Sequence, residues 1–266
     1  QKGFSMTNLI SRLFGAFASM AFPSIIQSFI NRVYVALFHI DLSEFEESKN
    51  FTTLNKLFTR RLKQPRIFDT TPNVLISPTD SRITESATTS KHKALQIKGM
   101  EYDINELLGE KIPQDMEFSY INLYLSPRDY HRYHAPCDMY IEEIRYFGGE
   151  LLPVHIPALK KFNNLFIRNE RVVLKAKMYN GKTIYFVAVG ALNVGSIVFH
   201  CEPKIHTNAK KGNETYTYAS PIAVQKGEEL GMFNMGSTIV LFIEDFTPQI
   251  QSGDKVRYTQ NLGTLA

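Results

Sequence analysis

Side chains able to carry out nucleophilic chemistry stand at three separated points of the chain: a carboxylate at Asp80, imidazoles at His131 and His134, and a hydroxyl at Ser237. Such a set can turn a serine oxygen into a nucleophile, with the imidazole accepting the hydroxyl proton and the carboxylate orienting the ring. Ser237 lies in the triplet Gly236-Ser237-Thr238, immediately before the apolar run Ile239, Val240, Leu241, Phe242 and Ile243. That run predicts a buried strand, with the serine delivered to its start. Gly236 has no Cβ, which leaves its carbonyl open to approach by another group. Asp80 ends Ser77-Pro78-Thr79-Asp80, just past a short predicted strand over Val74–Ile76.

The two histidines fall in Tyr124–Asp138, YLSPRDYHRYHAPCD, which takes two of the chain's seven histidines into four positions. On a helical turn, residues three apart share a face, so this spacing predicts that both rings serve one site. His131, His134, Cys137 and Asp138 are also metal-ligand types. No second ligand cluster accompanies them and the spacing is not that of a zinc site, so no metal is expected. Each residue alone has an ordinary explanation as a turn serine, an Asx-turn aspartate or a surface histidine. Taken together they admit a serine hydrolase, whose Asp, His, Ser chain order has precedent. Against that, Ser237 lacks the Gly-x-Ser-x-Gly elbow of the α/β-hydrolases. A non-catalytic, membrane-associated β domain is the third reading.

The elements that must hold these groups divide into two parts. Up to Ile40 the only fully charged side chains are Lys2, Arg12 and Arg32. Leu9, Ile10, Leu13, Phe14 and Phe17, then Ile26, Phe29, Ile30, Val33 and Leu37, recur at helical spacing on either side of Pro23. Two basic amphipathic helices are predicted, with polar residues too frequent for a membrane span of about 20 apolar residues. They suit attachment to the surface of an anionic membrane with an apolar face dipped into lipid; the bland alternative is that they simply pack on the body of the protein, and both can hold at once. A further helix is expected over Leu54–Leu62, with Arg60 and Arg61 on a solvated face.

Beyond residue 66 the period changes. Strands are predicted at Phe118–Leu125, Tyr140–Phe147, Arg171–Met178, Thr183–Val189 and Ser196–Phe199, separated by glycine-bearing turns, with a short helix ending at Gly109. Long alternating helices are missing, which argues against a doubly wound sheet. The expected fold is therefore α+β, with an N-terminal helical segment over 1–66 and a mostly antiparallel β-rich catalytic domain over 67–266. The net charge of +4, from 30 basic and 26 acidic residues, is too small and dispersed to suggest nucleic acid. Cys137 and Cys201 form no disulfide framework, and a reducing cytoplasmic setting is the default.

Five stretches, in order, carry a resemblance: SPTD at Ser77–Asp80, YLSPRDYHRYHAPCD at Tyr124–Asp138, LFIRNERV at Leu165–Val172, VGALNVGSI at Val189–Ile197 and KGEELGMFNMGST at Lys226–Thr238. Together they resemble the bacterial phosphatidylserine decarboxylase proenzymes over Leu54–Phe242. Met235 stands where that branch usually has leucine, a swap of similar size. The resemblance implies that Ser237 attacks the Gly236 carbonyl, that the chain divides into residues 1–236 and 237–266, and that Ser237 becomes a covalent pyruvoyl group. His134 would take the serine proton, oriented by Asp80, and His131 would handle a proton in decarboxylation. A pyruvoyl electron sink does the work of pyridoxal phosphate, so neither that cofactor nor a metal is needed. The implied partners are phosphatidylserine, an anionic membrane surface and the two fragments of the chain itself, with a homodimer left open. The implied location is peripheral, at the cytoplasmic face of the inner membrane.

Overall fold

The computed structural model describes residues 6–47, 49, 51–192, 196–207, 212–234 and 238–266. Two amphipathic helices, α1 (Met6–Ser19) and α2 (Ser24–Phe38), are separated at Pro23 as the sequence predicts, because proline fits a helix start but not its interior. The third, α3 (Leu54–Phe58), is shorter than expected. Thr59 ends it, and Leu62 is drawn into a bridge with Phe45.

The body follows as β1 (Val74–Ile76), β2 (Ser81–Thr88), β3 (Lys93–Ile97), β4 (Met100–Asp103), α4 (Ile104–Leu108), β5 (Ser119–Tyr124), β6 (Arg132–His134) and β7 (Met139–Phe147). It continues with α5 (Ile156–Lys161), α6 (Leu165–Arg168), β8 (Arg171–Met178), β9 (Thr183–Val189), β10 (Ser196–Phe199), β11 (Glu214–Val224) and β12 (Glu229–Asn234). The chain ends with β13 (Thr238–Ile243), β14 (Phe246–Pro248), β15 (Lys255–Val256) and β16 (Asn261–Leu265). The fold is α+β, with antiparallel pairing between the named strands.

An eight-stranded sheet in the order β11-β7-β8-β9-β13-β5-β2-β15 forms the middle layer. In β13, Ile239, Leu241 and Ile243 enter one core while Val240 and Phe242 enter the other. Alternate side chains point to opposite faces of a strand, so an uninterrupted apolar run marks a sheet covered on both sides. One cover is built from the small sheets β10-β12-β6 and β1-β16-β14, the other from the β3-β4 hairpin with α4, α5 and α6. Burying the five apolar side chains of β13, each 0 % exposed, contributes on the order of 10 kcal/mol. That holds the residue following Ser237 firmly.

The register gathers the informative stretches at one end of this sheet. Arg82, Tyr124, Thr238, Val189 and Arg171 form a row across β2, β5, β13, β9 and β8. Asp80 precedes the first of these strands and Thr238 opens the third. Arg82 and Thr238 are two strand spacings apart, about 10 Å.

Candidate active site

Local hydrogen bonds tie the SPTD and histidine stretches together. The His134 amide donates to the Pro78 carbonyl at 2.9 Å, and the Thr79 hydroxyl donates to the Tyr130 carbonyl at 2.7 Å. The histidine stretch is not a helical turn. Pairing with β12 and with Pro78 pulls Arg132–His134 into an extended strand with His131 just before it, so the helical spacing that would put both rings on one face does not apply. The expectation of one shared face is thereby corrected, and each ring has its own environment.

His131 is fully buried, its ring 3.8 Å from that of Phe58 at the end of α3. Its Nδ1 meets the Asp129 carbonyl at 2.8 Å. A carbonyl can only accept, so Nδ1 carries the hydrogen and Nε2 keeps a lone pair. That Nε2 has no partner among the described residues. Burial, and then the nearby Arg60 charge, lower the His131 pKa to about 3, against a weaker opposing pull from the Asp129 carbonyl. The backbone carbonyl of His131 accepts from the Phe233 amide at 2.9 Å, two residues before Met235. His131 is thus fastened to the strand that runs into the Gly-Ser-Thr triplet.

His134 stacks on Tyr258 with ring centroids 3.8 Å apart, and Tyr130 packs on it as well. Its Nδ1 meets the Gly227 carbonyl at 2.9 Å and its Nε2 meets the Tyr130 hydroxyl at 3.0 Å. Both nitrogens are therefore occupied, the second as an acceptor. Burial dominates in bringing its pKa down to about 4, opposed by the Gly227 carbonyl and Glu229. Both imidazoles are neutral at pH 7.

Asp80 is not hydrogen-bonded to His134. Its Oδ1 takes Arg66 Nη1 at 2.5 Å and the Tyr258 amide at 2.7 Å, while Oδ2 takes Arg66 Nη2 at 3.2 Å. Asp80 reaches His134 through Tyr258, whose backbone it holds and whose ring lies on the imidazole. Gly236 and Ser237 lie outside the described residues. The Thr238 side chain is fully buried and its hydroxyl has no partner among the described residues. Phe58, Tyr130, Arg66 and Tyr258 are the contacts that sequence reasoning missed. Tyr130 lies inside the histidine stretch, but Arg66 and Tyr258 come from distant segments with no local signal.

The family model described as phosphatidylserine decarboxylase matches residues 54–264. A phosphatidylserine decarboxylase proenzyme of Helicobacter pylori is 53% identical over 260 residues, covering 97% of each chain. That of Campylobacter jejuni is 40% identical over 261 residues, covering 95% of this chain and 97% of its own. A mitochondrial proenzyme of Pongo abelii is 31% identical over 295 residues, 97% of this chain and 72% of the relative. The chain belongs to the phosphatidylserine decarboxylase family.

The family match begins at Leu54, the first residue of α3, and the bacterial relatives also cover most of the helices before it. In this decarboxylase those helices form one wall of an apolar cleft of about 710 Å³. Phe17, Phe29 and Leu37 line it from α1 and α2, Phe58 from the end of α3, and Tyr124 and Leu125 from the body. Phe58 is at once a wall of the cleft and the ring against His131. Leu9, Ile10, Leu13, Met20, Ile25 and Ile26, none of which lines the cleft, are exposed. No helix among the described residues is long and apolar enough to cross a membrane.

Proposed function

We propose that this chain is a self-processing decarboxylase that converts phosphatidylserine to phosphatidylethanolamine and CO₂ in phospholipid biosynthesis, with Asp80, His131, His134 and Ser237 as its working residues. The observation that carries the reading is the position of His131. Its Nε2, without a partner among the described residues, belongs to a ring packed on Phe58 in the wall of a lipid-sized apolar cleft, and its backbone is bonded to the strand entering Gly236-Ser237-Thr238.

Self-cleavage begins with attack of Ser237 Oγ on the Gly236 carbonyl carbon, which exchanges the peptide C–N bond for an ester. Loss of the Ser237 α-proton expels the Gly236 carboxylate, and hydrolysis of the remaining enamine releases ammonia. His134 is the proposed acceptor of the serine proton. To take it, Nε2 must give up the Tyr130 hydroxyl, while Asp80 and Tyr258 keep the ring in place.

The residues present fit a pyruvoyl group at position 237. Two buried polar atoms, His131 Nε2 and Thr238 Oγ1, have no partner among the described residues, in segments bonded or adjacent to the triplet, and buried polar atoms are seldom left so. When formed, the group supplies a carbonyl for the substrate amine and a sink for the electron pair left when CO₂ departs. His131, neutral and dry, offers a lone pair for proton handling at the reacting carbon and adds no positive charge that would stabilise the substrate carboxylate. The cleft seats acyl chain, and the exposed face of α1 and α2 lies in the interfacial region of the inner membrane, on its cytoplasmic side.

Intact mass of the purified protein under denaturing conditions tests the reading, with Ser237→Ala beside it. Wild type should give residues 1–236 and a pyruvoyl-ended 237–266 of roughly 3.4 kDa, from its share of the 30.4 kDa chain. Ser237→Ala should give one full-length species. An uncleaved wild type whose Ser237 is labelled by a phosphonate would make it a serine hydrolase instead.

A further inference from the structure

Arg60 is expected on a solvated helix face, yet it is 2 % exposed. Because α3 stops at Phe58, the following residues turn inward. The Arg60 guanidinium carbon lies 4.4 Å over the Phe45 ring. Nη1 donates to the Leu57 carbonyl at 3.4 Å, and Nη2 donates to the carbonyls of Arg128 at 2.6 Å and Asp129 at 3.1 Å. Among the described residues Nε has no acceptor and no carboxylate forms an ion pair with Arg60. Asp80 and Asp129 act on the guanidinium without pairing with it, and a guanidinium buried without a direct ion-pair partner costs several kcal/mol. A hydrophobic residue of similar length would fill the same space without that cost.

The charge is delivered to one place. The Asp129 carbonyl that accepts from Arg60 also accepts from His131 Nδ1. Phe58, two residues before Arg60, supplies the ring that packs on the imidazole. We propose that Arg60 is a positioning residue for His131: its fork locks the Arg128–Asp129 turn, so that His131 is held as the neutral Nδ1–H form with Nε2 bare. This rests on the reading that His131 handles a proton in decarboxylation.

Two effects act together. The turn bonded by the guanidinium cannot rotate its carbonyl away from Nδ1, and a second proton on the imidazole would place a positive charge close to that of Arg60 with both groups buried. The other groups facing His131 do not offset this. Asp129 turns its carboxylate to the Ser126 amide and hydroxyl, both at 2.7 Å, and β12 offers the backbone of Phe233. Lysine would keep the charge but would lose the Nη1 bond to Leu57 and the planar contact over Phe45, which together fix where the nitrogen on the two carbonyls sits.

The test is ¹⁵N NMR of histidine-labelled, processed protein, with His131→Gln used to assign the signal and the pH profile of decarboxylation measured alongside. Wild type should show His131 as a neutral Nδ1–H tautomer from about pH 5 to pH 8. In Arg60→Met the His131 titration should move up by about one to three pH units, with an acid limb appearing in the activity profile at the same pH. Arg60→Lys should suppress the upward shift while mixing the tautomers. A wild-type His131 found as the Nε2–H tautomer overturns the inference without any variant. An Arg60→Met protein whose His131 keeps its tautomer and titration also overturns it. Should Arg60→Met fail to fold, wild type and Arg60→Lys still decide. Normal decarboxylation by His131→Gln would defeat the role given to His131, and the tautomer measurement would still judge Arg60 separately.

Discussion

The membrane role of α1 and α2 can be tested without disturbing the cleft or the core. Leu13 is 65% exposed and Ile25 is 85% exposed, and neither lines the apolar cleft. Leu13→Gln with Ile25→Gln keeps good helix propensity and removes little buried area, so folding should change by well under 1 kcal/mol per site. A large apolar side chain moved fully out of water gains about 1.5–3 kcal/mol. Scaled by these exposures, the pair should lose about 2–4 kcal/mol of membrane attachment. That corresponds to about 30- to 1,000-fold weaker partitioning. Co-sedimentation with vesicles containing anionic phospholipid, at fixed ionic strength, measures it. Intact mass reports self-cleavage on the same samples and should be unchanged. Equal partitioning of the variant and wild type would refute the reasoning and leave the helices as packing elements only.

Two further outcomes follow from the site. The folded-state pKa values of His131 and His134, about 3 and about 4, lie below the ordinary histidine value, so between about pH 6.5 and pH 4 the unfolded chain binds more protons. Stability should be full above about pH 6.5 and fall as the pH drops, by about 2 kcal/mol per histidine at pH 5. Urea unfolding at pH 7.5 and pH 5 should show the loss and His131→Gln should reduce it; a wild type equally stable at both would contradict the buried neutral rings. Asp80→Asn should cost about 2 kcal/mol by weakening the Arg66 pair and the Tyr258 contact, and should slow self-cleavage by loosening the ring stacked on His134. Cleavage at the wild-type rate, followed by intact mass, would remove Asp80 from the mechanism.

Much of the fold was legible in local pattern. The apolar run after Ser237, the strands Val74–Ile76, Arg171–Met178, Thr183–Val189 and Ser196–Phe199, and the break at Pro23 are each dictated by side chains a few positions apart. The strand β2, reading SRITESAT, was missed because neither its composition nor its alternation marks it; β5 and β15 beside it make it a strand. The histidine pair shows the same limit at the site. Sequence identified His131 and His134 and associated them with Asp80 and Ser237. Pairing with β12 and Pro78 then replaced the helical turn with a strand and gave the two rings different neighbours.

What the sequence determined by itself was the set of reactive groups, because the five collinear stretches are read residue by residue. What only the tertiary structure decided was each group's environment: Arg66, rather than His134, bonded to Asp80; Tyr130 and Gly227 on the nitrogens of His134; and Arg60 buried where a solvated face was expected. Hydrogen-bond partners and burial are set by segments far apart in the chain, and no local period encodes which of them will meet.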